Sequence, residues 1–164
     1  MDEIFRRISV RKFEDRPVED EKIDQILRAA MAAPSAGNQQ PWEFYVVKDR
    51  ETIEKMAKCS PYARCAMKAP AVIVPCMKMK GMRLPEMVMI DLSIATQNIL
   101  LEITSLGLGG VWLGVAPVEE RMSKVDEALG IGDELRSFAL VPVGYPAEDR
   151  PQEDRYSPER VHRI

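Results

Sequence analysis

Histidine and cysteine are scarce in this chain of 164 residues, which contains one histidine and three cysteines. His162 lies near the end of the sequence, so no internal imidazole can act as the base of a Ser-His-Asp triad or complete most zinc sites. The spacing of Cys59, Cys65 and Cys76 matches neither a zinc site nor a redox pair. We therefore predict three free thiols, a reducing compartment and no metal.

Long hydrophobic runs and an excess of basic residues are also missing. No segment reaches the ~18 uncharged apolar residues that a membrane span needs, and the first residues lack the pattern of a signal peptide. The net charge of −3 provides no attraction for non-specific nucleic-acid binding. We expect a cytoplasmic protein that binds neither membranes nor nucleic acids. Its 46% hydrophobic content indicates one globular domain over residues 1–164.

Helical and strand-like patterns alternate along the chain and predict an α+β fold with about four or five strands flanked by helices. A short first helix is predicted around Ile4 and Phe5, with longer helices over residues 19–33, 51–58, 85–106 and 118–129. Strands are predicted over residues 42–47, 69–74, 111–113 and 137–146. Pro75 is expected to end the second strand. The methionine-rich segment 77–89 either covers a pocket or fills the core.

The predicted helix over residues 85–106 is apolar around nearly its whole circumference. Such a helix must be buried on nearly all sides, which one small domain does not achieve. We therefore predict a homodimer that packs through this helix. The run Gly107-Leu108-Gly109-Gly110 follows it and precedes a strand, the reverse of the order in a dinucleotide-binding fingerprint. It predicts a helix C-cap instead.

The loop Ala33–Trp42 combines two prolines, one glycine and four uncharged polar side chains between a helix and a strand. Pro34 favours extended backbone before it, and Gly37 allows a conformation that other residues avoid. Ser35, Asn38 and the glutamines can donate and accept hydrogen bonds at the edge of a flat, neutral, heteroatom-rich ligand. The alternative is an ordinary turn, which the same residue types form often.

The segment Arg6–Phe13 concentrates four cations in a chain of net negative charge. By itself it is compatible with a solvated basic surface. Together with the loop, however, the order is Arg-x-Ser-x-Arg-x-Phe, a helix, Pro-Ser-x-x-Asn-x-Gln-Pro-Trp and a strand. This order resembles the start of the nitroreductase family, whose members are oxidoreductases dependent on flavin mononucleotide (FMN). The resemblance implies a three-layer α/β/α sandwich with a mixed, mainly antiparallel sheet.

The resemblance also implies an intertwined homodimer with shared active sites. Residues 147–164 are poor in apolar side chains and cannot form a core of their own. They are either disordered or, as the resemblance implies, a C-terminal arm that lies over the partner subunit. Sparse anchors for such an arm are Tyr156, Val161 and Ile164.

Cofactor-binding residues follow from the same motifs. The first motif places against the flavin Arg7, Ile8, Ser9, Val10 and Arg11, with Ile8 contributing its backbone only. The loop contributes to the flavin of the other subunit through Pro34, Ser35, Ala36 and Asn38. The segment near the ring is Leu113, Gly114 and Val115. The late phosphate-binding arginine of the family corresponds to Arg155, with Arg150 and Arg160 as competitors nearby.

The chemistry of these side chains suits FMN. Arginine guanidinium groups bind phosphate with paired hydrogen bonds, so Arg7, Arg155 and the Ser9 hydroxyl form a candidate phosphate site. Reduction places negative charge near N1 and the C2 carbonyl of the flavin, and Arg11 is the candidate cation there. No side chain of the protein needs to act as nucleophile or base.

The activity that the resemblance implies is a ping-pong transfer of hydride from NADH or NADPH through flavin N5 to an organic acceptor such as a nitroaromatic or a quinone. A reductive dehalogenase-like or enoate-reducing member of the family would use the same flavin contacts. A flavin-binding redox sensor without steady turnover, responding through Cys59 or Cys65, is a further alternative. A structural dimer without any ligand is the simplest one.

Overall fold

The computed structural model describes residues 2–164, which form five α-helices and six β-strands. The helices are α1 (Glu3–Arg6), α2 (Asp20–Met31), α3 (Arg50–Ala57), α4 (Val88–Ser105) and α5 (Glu119–Leu129). The strands are β1 (Trp42–Val47), β2 (Ala71–Lys78), β3 (Gly109–Gly110), β4 (Leu113–Gly114), β5 (Leu135–Ser137) and β6 (Ala139–Gly144). Each predicted helix is present, with bounds that differ by a few residues.

The strands form one sheet of order β1-β2-β6-β3, in which β4 also pairs with β6 and β5 with β2. All these pairs are antiparallel, and a parallel bridge joins Ser9 to Gly110. The count exceeds the predicted four or five because two predicted strands are split. β3 and β4 share one register along β6, which places Val111 opposite Pro142. Pro142 has no amide hydrogen, so the ladder is interrupted there.

The prediction that Pro75 ends the second strand was wrong, because β2 continues through it to Lys78. The carbonyl oxygen of Pro75 accepts a hydrogen bond of 2.9 Å from the N–H of Phe138. The carbonyl of Phe138 is in turn satisfied by the N–H of Ala116, also at 2.9 Å. The amide hydrogen that Pro75 lacks is therefore not needed, and the strand tolerates the proline.

The sheet is the middle of three layers. Alternate residues of β2 point to opposite faces, as strand geometry requires. Val72, Val74 and Cys76 pack in one cluster with side chains of α3 and α5. Ala71 and Ile73 pack in a second cluster with side chains of α2 and α4. The predicted α/β/α sandwich is present in the chain.

Helix α4 is long and apolar enough to cross a membrane by length and composition alone, but core helices of soluble proteins also meet that criterion. Its inner side is buried through Leu92, Ile99 and Ile103. Its outer side leaves Ile90 51% exposed and Ile94 36% exposed. A single chain thus leaves one apolar side of α4 uncovered, as the sequence predicted.

Helix ends follow the predicted glycine signals. Gly107 has φ +70°, and the N–H of Leu108 bonds the carbonyl of Ile103 at 2.9 Å, which closes α4. At the other end of the chain, residues 147–164 have no regular secondary structure apart from one turn at Pro158–Arg160. Tyr156 and Val161 in this arm are exposed. The short α1 lies where it was predicted, and its Ile4 and Phe5 are exposed.

Candidate active site

The basic segment is held against the edge of the sheet by its backbone. The N–H of Val10 donates to the carbonyl of Gly110 at 3.0 Å. A Cβ on Gly109 would lie 2.7 Å from Cγ1 of Val10, so this close approach requires glycine. The carbonyl of Lys12 accepts from the N–H of Ala147 at 3.0 Å. Val10 is buried by this packing, whereas Arg7 and Ser9 keep part of their surface accessible.

A cavity of about 350 Å³ opens beside this segment. Its lining includes both arginines of the motif, the Ser9 hydroxyl and part of the C-terminal arm: Arg7, Ile8, Ser9, Arg11, Arg150, Pro151, Gln152, Glu153 and Arg155. The predicted phosphate ligands therefore converge from opposite ends of the chain. Arg150, one of the two competitors of Arg155, also lines the cavity, whereas Arg160 does not.

A second cavity, of about 470 Å³, shares Arg11 with the first. Its lining comes from four parts of the chain: Arg11, Ser60, Tyr62, Ala63, Trp112, Leu113, Gly114 and Arg121. Leu113 and Gly114 thus line the same cavity as Arg11. Val115 is fully buried as a whole residue and lines neither cavity, so the structure does not bring it to the surface with Leu113 and Gly114.

The loop Pro34–Asn38 lies elsewhere, because none of its residues lines either cavity. Its backbone is unusual: Gly37 has φ +57°, and the non-glycine residues Asn38 and Gln40 have φ +52° and +47°. Such conformations are strained and persist where the surroundings enforce them. The Ser35 hydroxyl accepts from the N–H of Gln40 at 3.0 Å, which supports the conformation.

Asp91 anchors this loop from α4, and the sequence patterns did not identify it. Its side chain is buried, and Oδ1 accepts from the N–H of Ala36 at 2.9 Å while Oδ2 accepts from Nε2 of Gln39 at 2.8 Å. Gln39 also accepts from the N–H of Leu84 and donates to its carbonyl, each at 3.1 Å. An aspartate within an otherwise apolar helix is a signal that could have indicated this role, because buried charges need partners.

Glu148 is a second anchor that the patterns missed. Its Oε1 accepts from the N–H of Arg11 at 3.0 Å, and its Oε2 pairs with Arg150 at 3.0 Å and with Lys12 at 4.0 Å. The N–H of Arg11, followed by the Arg150 side chain and the charge of Lys12, lowers the pKa of Glu148. Glu148 thus fixes the backbone of Arg11, whose Nη1 bonds the carbonyl of Ser9 at 3.4 Å.

The cysteines lack activated thiols. Cys59 and Cys76 are buried and Cys65 is half-buried. Burial raises the pKa of Cys59 and of Cys65, and it raises that of Cys76 to about 12. Across residues 2–164, no cluster of histidine, cysteine, aspartate or glutamate is arranged to hold a metal ion.

Comparison with known proteins identifies the family. The Nitroreductase family model matches residues 4–71 and 61–145. The chain belongs to the nitroreductase family. A relative from Archaeoglobus fulgidus, named "Putative NADH dehydrogenase/NAD(P)H nitroreductase", is 46% identical over 164 residues, which cover 98% of this chain and 94% of the relative. The resemblance inferred from the two motifs is confirmed.

Solved nitroreductase-like structures show the same fold. A crystal structure of a "Putative NADH Oxidase" from Clostridium acetobutylicum has a TM-score of 0.95 and 44% identity, covering 98% of each chain. An FMN-dependent nitroreductase from Clostridium difficile has a TM-score of 0.90 and 28% identity, covering 98% of this chain and 96% of its own. The predicted α+β fold is therefore confirmed for this family member.

Proposed function

We propose that this chain transfers hydride from NADH or NADPH through FMN to a small organic acceptor such as a nitroaromatic or a quinone. The enzyme class is that of the family: it is an FMN-dependent NAD(P)H oxidoreductase. The observation that carries the proposal is the convergence of Arg7, Ser9, Arg11 and Arg155 on one cavity that adjoins a second. Bound FMN would supply a flavin N5 that can accept and donate hydride, which is the chemistry that a ping-pong transfer needs.

The donor set of the first cavity fits the phosphate of FMN. Two arginines from opposite ends of the chain, Arg7 and Arg155, line a shared space together with Ser9. Guanidinium groups bind phosphate with paired, charge-assisted hydrogen bonds. Arg7, Ser9 and Arg155 would therefore hold the phosphate. Arg150 is paired with Glu148, so its charge is already partly compensated.

Arg11 would act at the junction of the two cavities. Its backbone is held by Glu148, and its guanidinium lines both spaces. A cation fixed at this point stabilises negative charge that develops on the ring system when it is reduced. Leu113 and Gly114 would provide the wall beside the ring, and the lack of a side chain at Gly114 leaves open space there.

The remaining predicted contacts require a second copy of the chain. The loop Pro34–Asn38, including Ser35 and Ala36, lies outside both cavities, so its proposed contribution is to the flavin of the partner subunit. The exposed apolar side of α4 would form the dimer interface, since it presents Ile90 and Ile94 to solvent. Residues 147–164 belong to the same single domain, and the part of the arm beyond Arg155 would lie over the partner.

Two alternative enzymes differ from the proposed one only in the acceptor, whereas the redox sensor differs in mechanism. A reductive dehalogenase-like or enoate-reducing enzyme would keep every contact described above. A thiol-based sensor is disfavoured, because burial raises the pKa of Cys59 and of Cys65 and so suppresses the reactive thiolate. A cytoplasmic location accompanies the proposal as a prediction.

The test is an absorption spectrum of the purified protein, followed by titration with NADH and with NADPH without oxygen. A bound yellow flavin that either nucleotide bleaches, and that nitroaromatics or quinones reoxidise catalytically, is the expected result. Faster turnover with halophenols or enoates would assign the alternative acceptor class. Colourless protein that neither binds FMN nor oxidises NADH or NADPH would overturn the proposal.

A further inference from the structure

Arg121 lines the second cavity from the first turn of α5, where the motif assignment placed no functional residue. Its Nη1 donates to the carbonyl of Gly114 at 3.0 Å. This bond places the guanidinium beside the segment that the proposed function assigns to the ring of the flavin. Arg121 therefore holds a defined position at the wall of the cavity.

The charge of Arg121 is not neutralised by an ion pair. Its neighbours Glu119 and Glu120 are bound to other cations, Arg136 and Lys124, each at 2.7 Å. Within residues 2–164, no carboxylate oxygen lies within 4.0 Å of the Arg121 guanidinium. The positive charge is thus available to a ligand in the cavity, where partial exclusion of water strengthens its attraction for an anion.

The rest of the cavity wall suits a flat ring. Tyr62 is 78% exposed at the mouth, and its ring is free to pack against a ligand. Trp112 is fixed by an edge-to-face contact with Phe138, with ring centroids 5.6 Å apart. Ser60 adds a hydroxyl to the lining. Aromatic walls beside the cations of Arg11 and Arg121 match a planar molecule that carries an anionic group.

We infer that Arg121 determines specificity by binding an anionic group on the molecule that enters this cavity. The inference rests on the proposed function and refines it. The anion is either a carboxylate on an aromatic acceptor or a phosphate of the nicotinamide nucleotide, since a guanidinium binds both through the same paired hydrogen bonds. Arg11 is assigned to the flavin, so Arg121 is the cation of this cavity that remains for the second ligand.

The test compares Arg121→Gln with Arg121→Lys and with Lys68→Gln, which removes an exposed cation outside this cavity, as a control. Each protein is assayed with para-nitrobenzoate and para-nitrobenzamide as acceptors, and kcat/KM is measured separately for NADH and NADPH. In the wild type we expect a preference for para-nitrobenzoate over para-nitrobenzamide. Loss of one charge-assisted contact should lower the relevant kcat/KM by roughly tenfold in Arg121→Gln.

The two sources of the anion give different results. If the acceptor carboxylate binds, Arg121→Gln loses the preference for para-nitrobenzoate. If a nucleotide phosphate binds, kcat/KM for NADH or NADPH falls and the acceptor preference stays. In either case Arg121→Lys should keep most of the wild-type kcat/KM and acceptor preference, and Lys68→Gln should match the wild type.

The inference is overturned if Arg121→Gln changes neither the acceptor preference nor kcat/KM for NADH or NADPH by more than about twofold. It is also overturned if Arg121→Lys and Arg121→Gln lower kcat/KM equally, because loss of the hydrogen bond to Gly114 would then explain the decrease. The FMN content of every variant is measured by absorption, so that loss of the flavin is recognised. Wild-type protein that binds no FMN and reduces neither acceptor would instead contradict the proposed function.

Discussion

Asp91 on α4 binds the backbone N–H of Ala36 through Oδ1 at 2.9 Å, across 55 positions of the sequence. The same carboxylate binds Gln39, which in turn holds both backbone groups of Leu84. One buried side chain therefore joins the loop to α4, and Gln39 extends the connection to the segment before α4. Because α4 also carries the exposed apolar side, these hydrogen bonds connect the proposed dimer surface to the proposed flavin-contacting loop.

Replacing Asp91 should destabilise the fold. Asp91→Ala leaves the N–H of Ala36 and one N–H of Gln39 without an acceptor, and we expect a loss of about 3 kcal/mol in the free energy of unfolding. Asp91→Asn turns one acceptor into a donor, and Gln39 cannot flip its amide without losing both bonds to Leu84. We expect a loss of about 2 kcal/mol for this variant. Urea denaturation measures both.

The exposed carboxylate of Glu86, just before α4, provides the control for Asp91. Glu86→Gln should stay within about 0.5 kcal/mol of the wild type. Equal stability of Asp91→Ala and Glu86→Gln would contradict the anchoring role of Asp91.

The proposed phosphate site predicts different effects on FMN binding for two arginines of the arm. Arg155 lines the cavity with Arg7, whereas Arg160 lies outside it. Arg155→Ala should raise the Kd for FMN by roughly tenfold or more, because a charge-assisted bond to phosphate is lost. Arg160→Ala should leave it unchanged. Quenching of FMN fluorescence by apoprotein measures the Kd. A larger increase in Kd for Arg160→Ala than for Arg155→Ala would assign phosphate binding to Arg160 instead.

Dimer formation is expected to depend on the outer side of α4. Ile90→Asp or Ile94→Asp would bury an unpaired charge in the interface, so these variants should sediment as single subunits. They should also bind FMN more weakly, because the loop of the partner would be absent. Ile94→Leu preserves volume and should remain dimeric. Analytical ultracentrifugation is the measurement, and monomeric wild-type protein would refute the interface.

The pH dependence of stability should reveal the contribution of the Glu148 carboxylate. Hydrogen bonding by the N–H of Arg11 lowers the pKa of Glu148 below its ordinary value of 4.5. The folded state therefore gains stability from this carboxylate above that value and loses it as the pH falls through the lowered folded pKa. Glu148→Gln should be less stable than the wild type at neutral pH, and the difference should shrink as the pH falls below 4.5. A difference independent of pH in urea denaturation would refute this linkage.

Cysteine oxidation should have no part in turnover. Cys65 is half-buried, and burial raises its pKa, so little thiolate forms at neutral pH. Cys65→Ser is expected to oxidise NADH or NADPH at the rate of the wild type, with and without prior exposure to peroxide. A peroxide response that disappears in Cys65→Ser would restore the sensor alternative.

The sequence was most informative where structure depends on neighbouring residues. Apolar and β-branched periodicity predicted β1 over Trp42–Val47 with the bounds observed, and Gly130 ends α5 as expected. Periodicity and capping act over a few residues, so they can be recognised without knowledge of the fold. The two motifs likewise identified the family, because each is a contiguous run with an unusual composition.

The effect of a residue with distant partners could not be predicted in this way. Pro75 should have ended a strand, but Ala116 satisfies the carbonyl of Phe138, which would otherwise need the missing amide hydrogen. Glu148 binds the N–H of Arg11 across 137 positions. Such contacts depend on packing between elements, and local propensities do not encode that packing.

Residue types, helix and strand periods and two short motifs were enough to indicate a flavin-dependent oxidoreductase. The folded chain brings Arg7 and Arg155, already paired in the sequence prediction, to one cavity. The junction at Arg11 and the anchoring of the loop by Asp91 emerged only with the folded chain. The physical reason is that hydrogen bonds and ion pairs act over a few ångströms, and only folding brings residues so far apart in sequence within that range.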